Sequence, residues 1–413
     1  MRSFAERRES LLPKGREVRA LALSTLTSRF GRGLFYTTLP IYLTRSVGLS
    51  VHEVGIGLTA GALVGLLGGV PGGRLADRVG PRLVRTACRF AEALMICGYL
   101  AIGGLPGFVV TAALVTLCES AGQAAEGALI AHAVDRNSRV RTRAYLRSVT
   151  NAGWMVGSAL AGVALLSDTA LGYQVVIVTS ALCYGVSAAV TTQVPLSGAA
   201  PEKNAAGGRV AVLRDRPYLA LTALNAVLTV NIGVFTVALP LYMAQRTHAP
   251  VALYAVFSVI NTVVVMLFQV RASRRTETAT GAARAQRRAG YFLLACCLCF
   301  AVADGTPAWV AVVFLFLGVG VHVVGELLHA AGSWGISFEL APEHAQGEYQ
   351  GVYGVGRDLA QVVTPLVATT AMAGWGWAGC VLLGVVFLAA GCAVPPTTRW
   401  AIGHGSRPVP TPT

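Results

Sequence analysis

The sequence predicts an all-α membrane protein of twelve transmembrane helices in two pseudo-symmetric six-helix halves, and three observations predict it. Hydrophobic residues fill 54% of the 413 positions and charged residues 13%, where a soluble domain carries about a quarter charged. Apolar runs of about 20 residues, enough to cross a hydrocarbon core of about 30 Å, recur from end to end. The third observation is a repeat. Gly33-Leu34-Phe35-Tyr36-Thr37-Thr38-Leu39-Pro40-Ile41-Tyr42 returns 200 residues later as Gly233-Val234-Phe235-Thr236-Val237-Ala238-Leu239-Pro240-Leu241-Tyr242.

Apolar runs bounded by Gly, Pro and charge place six helices at 20–44, 52–72, 88–105, 108–133, 145–166 and 171–194. Six more fall at 217–244, 251–270, 290–304, 307–330, 350–372 and 376–394. Residues 1–194 thus form an N-terminal half, 195–216 a polar cytoplasmic linker, 217–394 a C-terminal half and 395–413 a cytoplasmic tail. The basic N-terminal stretch leads into an apolar run that is long and continues into a loop, unlike the short run of a secretory signal, which predicts a retained helix.

The net charge of +14 raises the question of nucleic acid, and its distribution answers it. With twelve spans, both termini and the even-numbered loops share one side. That side takes all of the 33 Lys and Arg except Arg45 and Arg246 opposite and Arg29, Arg32 and Arg357 inside helices. Positive loops stay cytoplasmic, so the protein is expected to cross the cytoplasmic membrane with both termini inside, its basic loops facing lipid headgroups. No nucleic-acid partner is expected. Cys296 and Cys299 form a C-x-x-C inside an apolar run, where they pack as small hydrophobes; no metal site is expected.

Between helices 2 and 3 stands Gly73-Arg74-Leu75-Ala76-Asp77-Arg78-Val79-Gly80-Pro81-Arg82. It resembles the signature loop of the major facilitator superfamily, G-x-x-x-D-[RK]-x-G-x-[RK], with Gly73, Asp77, Arg78, Gly80 and Arg82 at the defining places. Glycines permit the tight turn, and Asp77 can pair with Arg78 or with a neighbouring helix end. The resemblance implies an alternating-access transporter with a cavity between its halves, no ATP hydrolysis and no cofactor beyond a proton gradient. Glu339-Leu340-Ala341-Pro342-Glu343-His344, followed by Tyr349-Gln350-Gly351, is similar to the loop before helix 11 in the bacterial drug:proton antiporter branch. Two features depart from that branch: helix 4 carries glutamate where an arginine is usual, and helix 5 lacks the Gly-Pro pair.

Charges inside spans are the functional leads, because each costs about 2.5–3.5 kcal/mol to insert. Glu119, Gln123 and Glu126 share one face of helix 4 at i, i+4, i+7, and His322, Glu326 and His329 do so on helix 10. Arg357 and Asp358 sit in helix 11. At about 1.5 Å per residue, Arg32 matches Glu119 in depth, Arg29 matches Glu126, and Glu326 lies near the level of Arg357. The glycine stripe Gly57, Gly61, Gly65, Gly68, Gly69, Gly72 reads as helix packing.

The expected function is proton-coupled efflux of a small drug-like or natural-product solute by a monomer. Proton-coupled uptake is the alternative, and a non-transporting receptor on the same scaffold the reading from another class. An enzyme is not expected: there is no Walker A, H-E-x-x-H or G-x-S-x-G sequence, and Glu326-x-x-His329 lacks the second such pair a di-iron bundle needs.

Overall fold

The computed structural model describes residues 15–165, 169–196 and 211–405, and all regular structure in them is helical. Among the described residues twelve long helices follow one another. Helix α1 is Arg16–Arg45; α2 has two segments, Val51–Gly65 and Gly69–Val79, bent by 44°. Then come α3 (Pro81–Gly98), α4 (Leu105–Ala133), α5 (Arg139–Leu165) and α6 (Ala170–Thr192). After residues outside the described set come α7 (Arg216–Arg246), α8 (Leu253–Ala272), α9 (Ala279–Val302) and α10 (Ala308–Glu339). The chain closes with α11 (Gln346–Val367) and α12 (Trp377–Gly405). Seven of these helices are long and apolar enough to span alone, and the bent α2 makes an eighth. The other four, α1, α3, α5 and α11, carry the ionised residues that lower their hydropathy, and those residues build the sites below.

Local chemistry sets the boundaries. Ser50 and Glu53 close a capping box at α2, Asp215 accepts from Tyr218 N at 3.1 Å to start α7, and Thr278 accepts from Gly281 N at 3.2 Å to start α9. Gly80, at φ 103°, makes the turn between α2 and α3. α3 therefore starts at Pro81, seven residues before the expected 88, so Arg82, Arg85 and Arg89 are helical. At the other end α12 runs through Pro395 and Pro396, past the expected end of the apolar helix at 394. There Thr397 and Thr398 bond back to the carbonyls of Ala393 and Val394. Most of the expected 195–216 linker lies outside the described residues.

The described residues group into two compact units. The first contains α1–α6 and also 341–355, so the start of α11 belongs with it rather than with the C-terminal half. The second contains α7–α10 and the rest of α11 and α12. In the first unit, α1 packs on α5 and α6, and α4 on α2 and α3. The glycine stripe of α2 faces α4: a Cβ on Gly61 would stand 3.2 Å from Ala112, and one on Gly65 3.0 Å from Thr116. Ser24 of α1 meets Ser187 and Thr191 of α6 at 2.9 and 2.8 Å, a polar clasp in an apolar seam. In the second unit α9 packs on α10 and α12, and α12 on α7. The repeated segment has one structural job in both units. Tyr42 donates to the carbonyl of Tyr99 at 3.1 Å, and Tyr242 to that of Phe300 at 2.8 Å.

Candidate functional site: a charged interior and a capped loop

The signature loop acts on a helix start. Asp77, near the end of α2, accepts from the backbone N–H of Gly347 at 2.7 Å and of Glu348 at 2.8 Å. These are first-turn amides of α11, which have no partner within their own helix. A carboxylate there also meets the positive end of the helix dipole. The approach needs glycine on both sides, since a Cβ on Gly73 would collide with the backbone of Gly347 and one on Gly347 with that of Gly73. Asp77 thus takes a helix end, not Arg78, as its partner; Arg78 is exposed. Arg74 lies 3.7 Å from Glu348, and Arg82 donates to the carbonyl of Val194 at 3.2 Å. Beside this cap, Arg139 grips Glu343 with both terminal nitrogens, at 3.0 and 3.1 Å. That grip holds the Glu343 carboxyl below its usual range.

Deeper in the first unit the helices carry a network of ions. Arg32 of α1 is ion-paired with Glu119 of α4, and Gln123 donates to the same carboxylate at 3.1 Å. Arg29 does not pair with Glu126 as its depth suggests. Glu126 is held instead by Arg85 of α3 and by Arg143 of α5, the latter at 3.0 Å. Glu126 points across α4 toward α3 and α5, and depth along a helix says nothing of that direction. Arg89 and Glu92 pair at 2.5 Å, almost wholly buried, with the Arg89 guanidinium 5.3 Å from the Tyr184 ring. Gly122 leaves room for these side chains: a Cβ there would stand 3.1 Å from Arg85 and 3.7 Å from Glu92.

Sequence reasoning missed Arg85, Arg89 and Glu92, having counted both arginines as loop charges. Arg85, Arg89 and Glu92 stand at i, i+4, i+7, the same spacing that singled out Glu119, Gln123 and Glu126. Applied to 81–98, that test finds them.

In the second unit the buried polar groups are mostly uncharged. His322 sits 3.0 Å from the carbonyl of Asn231 and stacks on Phe235, with ring centroids 5.1 Å apart. Glu326 accepts from Asn261 at 2.9 Å. His329 lies between Gln286 at 2.8 Å and Thr229 at 3.3 Å. Arg357 lies beside its neighbour Asp358 at 3.3 Å. The π-helical turn Val234–Ala238 interrupts α7 just beyond Asn231, and such turns often mark functional positions. No group of three or more His, Cys, Asp or Glu among the described residues could hold a metal ion.

Twelve long helices among the described residues, most of them apolar, describe a multi-pass membrane protein. The chain belongs to the Major Facilitator Superfamily, whose family pattern matches residues 21–365. It is 25% identical over 389 residues to YqjV of Bacillus subtilis (strain 168), an uncharacterized MFS-type transporter, covering 89% of this chain and 92% of that one. It is 22% identical over 364 residues to YdeE of Escherichia coli (strain K12), also an uncharacterized MFS-type transporter, covering 86% and 88%. Among solved structures, a bacterial homologue of the iron transporter ferroportin in an outward-facing state superposes with a TM-score of 0.73. That match has 16% identity and covers 95% of this chain and 100% of the other. The structural likeness establishes the fold, and with the family it makes the protein a transporter rather than an enzyme.

Proposed function

We propose that this chain is a proton-coupled secondary transporter of a small organic solute in the cytoplasmic membrane, with both termini inside. The Arg32–Glu119 pair carries the coupling. The supporting observation is the position of that pair: it joins α1 to α4, and it is partly accessible, the side chains being 20% and 13% exposed. Beside an arginine a carboxylate stays ionised; parted from it in a dry interior it takes up a proton. A rocking motion that opens and closes the pair would then bind a proton on one side and release it on the other. Arg29, Arg85, Arg89, Glu92, Glu126 and Arg143 share this interior, with Tyr184 beside Arg89. The pairing of Glu92 with Arg89, and of Glu126 with Arg85 and Arg143, leaves Glu119 as the carboxylate with the best access.

Efflux of a drug-like or natural-product solute in exchange for protons is the direction favoured by the resemblance of the loop before α11 to drug exporters. One observation favours uptake instead. A proton on Glu119 releases Arg32, and a free arginine attracts an anion, so proton and anionic solute would travel together. Flux of solute in proteoliposomes under an imposed pH gradient tests both readings. Solute moving against the proton flow establishes exchange, and solute moving with it establishes symport. Absence of gradient-driven flux in either direction leaves the non-transporting receptor.

A further inference from the structure

A guanidinium has five N–H donors, no acceptor, and keeps its charge in any protein interior. Taken from water it needs an acceptor, ideally an anion. Arg29 has neither. Its Nε is buried with no partner, and it makes no hydrogen bond or ion pair among the described residues. Its charged neighbours include Arg32 and Arg89, of the same sign, and Glu126. Each nearby carboxylate is already engaged: Glu119 by Arg32, Glu92 by Arg89, and Glu126 by both Arg85 and Arg143. This interior therefore sets five guanidinium groups against three carboxylates. An unneutralised excess of positive charge inside a membrane bundle persists mainly where function requires it.

The accessible end of the network lies toward α1. Arg85, Arg89 and Glu92 are 3%, 2% and 1% exposed, whereas Arg29 and Arg32 are only half-buried. Arg29, Arg32 and Tyr36 share one face of α1 at i, i+3, i+7. Tyr36 stacks on Trp154 of α5 at 6.1 Å and 25° between planes, and the Arg32 guanidinium lies 4.9 Å and 5.7 Å from the two ring centroids. Trp154 remains 38% exposed. One strip thus offers an unmatched cation at one end and a flat aromatic surface about 10 Å along the helix.

We propose that this strip is the solute subsite and that it takes an aromatic carboxylate: the carboxylate on Arg29, the ring body against Tyr36 and Trp154. The proposal rests on the transporter reading and adds the sign and shape of the solute.

The test uses the purified full chain in detergent, with 2-naphthoate as probe and the neutral 2-naphthamide as its isostere, read by thermal unfolding and by Trp fluorescence. Naphthoate should stabilise the wild type in a saturable way and naphthamide should bind at least about tenfold more weakly, the loss expected for one charge-assisted bond. Arg29→Gln should weaken naphthoate by about 10–100-fold on the same basis. It should also leave the ligand-free Tm unchanged or raised, because it removes a partly buried charge that makes no hydrogen bond or ion pair among the described residues. Arg85→Gln, which strips a partner from Glu126, should lower that Tm. Three results overturn the proposal: no naphthoate binding by the wild type, equal binding of acid and amide, or a ligand-free Tm that falls as far in Arg29→Gln as in Arg85→Gln. Binding is read here without any gradient. A protein that binds naphthoate but does not couple to protons therefore keeps this subsite and loses the coupling mechanism. One that couples without binding naphthoate does the reverse.

Discussion

Tyr42 reaches from α1 to the carbonyl of Tyr99, and Tyr242 reaches from α7 to that of Phe300; around these matching bonds the two units differ in what they bury. The first encloses Arg–Glu pairs contributed by α1, α3, α4 and α5. The second encloses imidazoles and amides around Glu326, described beside Asn261, and its Arg357–Asp358 pair joins sequence neighbours rather than two helices. The repeat therefore conserves packing and leaves the chemistry free. Ion pairs can part and exchange protons at large electrostatic gain or loss, while amide networks mainly fix geometry. On the proposed mechanism, coupling belongs to the first unit and rigidity to the second.

The largest effect should come where the first unit holds the start of α11. Asp77→Asn removes the charge from two helix-start bonds. Flux should fall by about tenfold or more, the equivalent of a charge-assisted bond, with solute affinity within a few-fold of wild type. Unchanged flux would show that the hold of Asp77 on the start of α11 does not gate transport. The interior networks can be set against each other by unfolding measurements in detergent. Arg85→Gln leaves Glu126 with one cation and should destabilise by up to about 3 kcal/mol. Asn261→Ala, at the matching kind of position in the second unit, should cost about 1 kcal/mol, as for a single hydrogen bond. The reverse order would contradict the division drawn above.

Smaller still, and equal in the two units, are the tyrosine bonds. Tyr42→Phe and Tyr242→Phe should each cost about 1 kcal/mol, and neither should alter the pH dependence of transport. The smallest expected effect is at Glu343, mostly exposed and held below its usual carboxylate range by Arg139. Its stabilisation is complete above the ordinary glutamate value of about 4.3 and fades as pH falls through the lowered native value. Arg139→Gln should therefore lower stability slightly at neutral pH, leave it unchanged below the lowered native value, and so flatten the acid limb of the stability curve.

What the sequence made legible was periodicity and depth. The apolar runs located the spans, and the repeat from Gly33 to Tyr42 marked the symmetry, because both follow from spacing along the chain. Depth correctly set Arg32 level with Glu119. It failed for Arg29, since the direction in which Glu126 leaves α4 depends on which helices pack there. The turn at Gly80 was legible as a motif but not as the exact start of α3. The seven-residue shift left Arg85 outside the expected helix, and Arg89 was counted with the loop charges, so neither was set on one face with Glu92. In the second unit the helix-10 spacing singled out His322, Glu326 and His329. Asn231, Asn261 and Gln286 carry no charge to flag them, so their contacts emerged only with packing.

The central claim is that the Arg32–Glu119 pair moves the proton, and Glu119→Gln in proteoliposomes tests it most directly. The glutamine is nearly isosteric and still accepts a hydrogen bond from Arg32, but it cannot titrate. The account predicts that this variant binds solute, loses the pH dependence of binding and no longer accumulates solute against its gradient, while Glu126→Gln shows the milder effect. Accumulation with a normal pH response in Glu119→Gln would contradict it and move the coupling site to the titratable residues of α10 and α11.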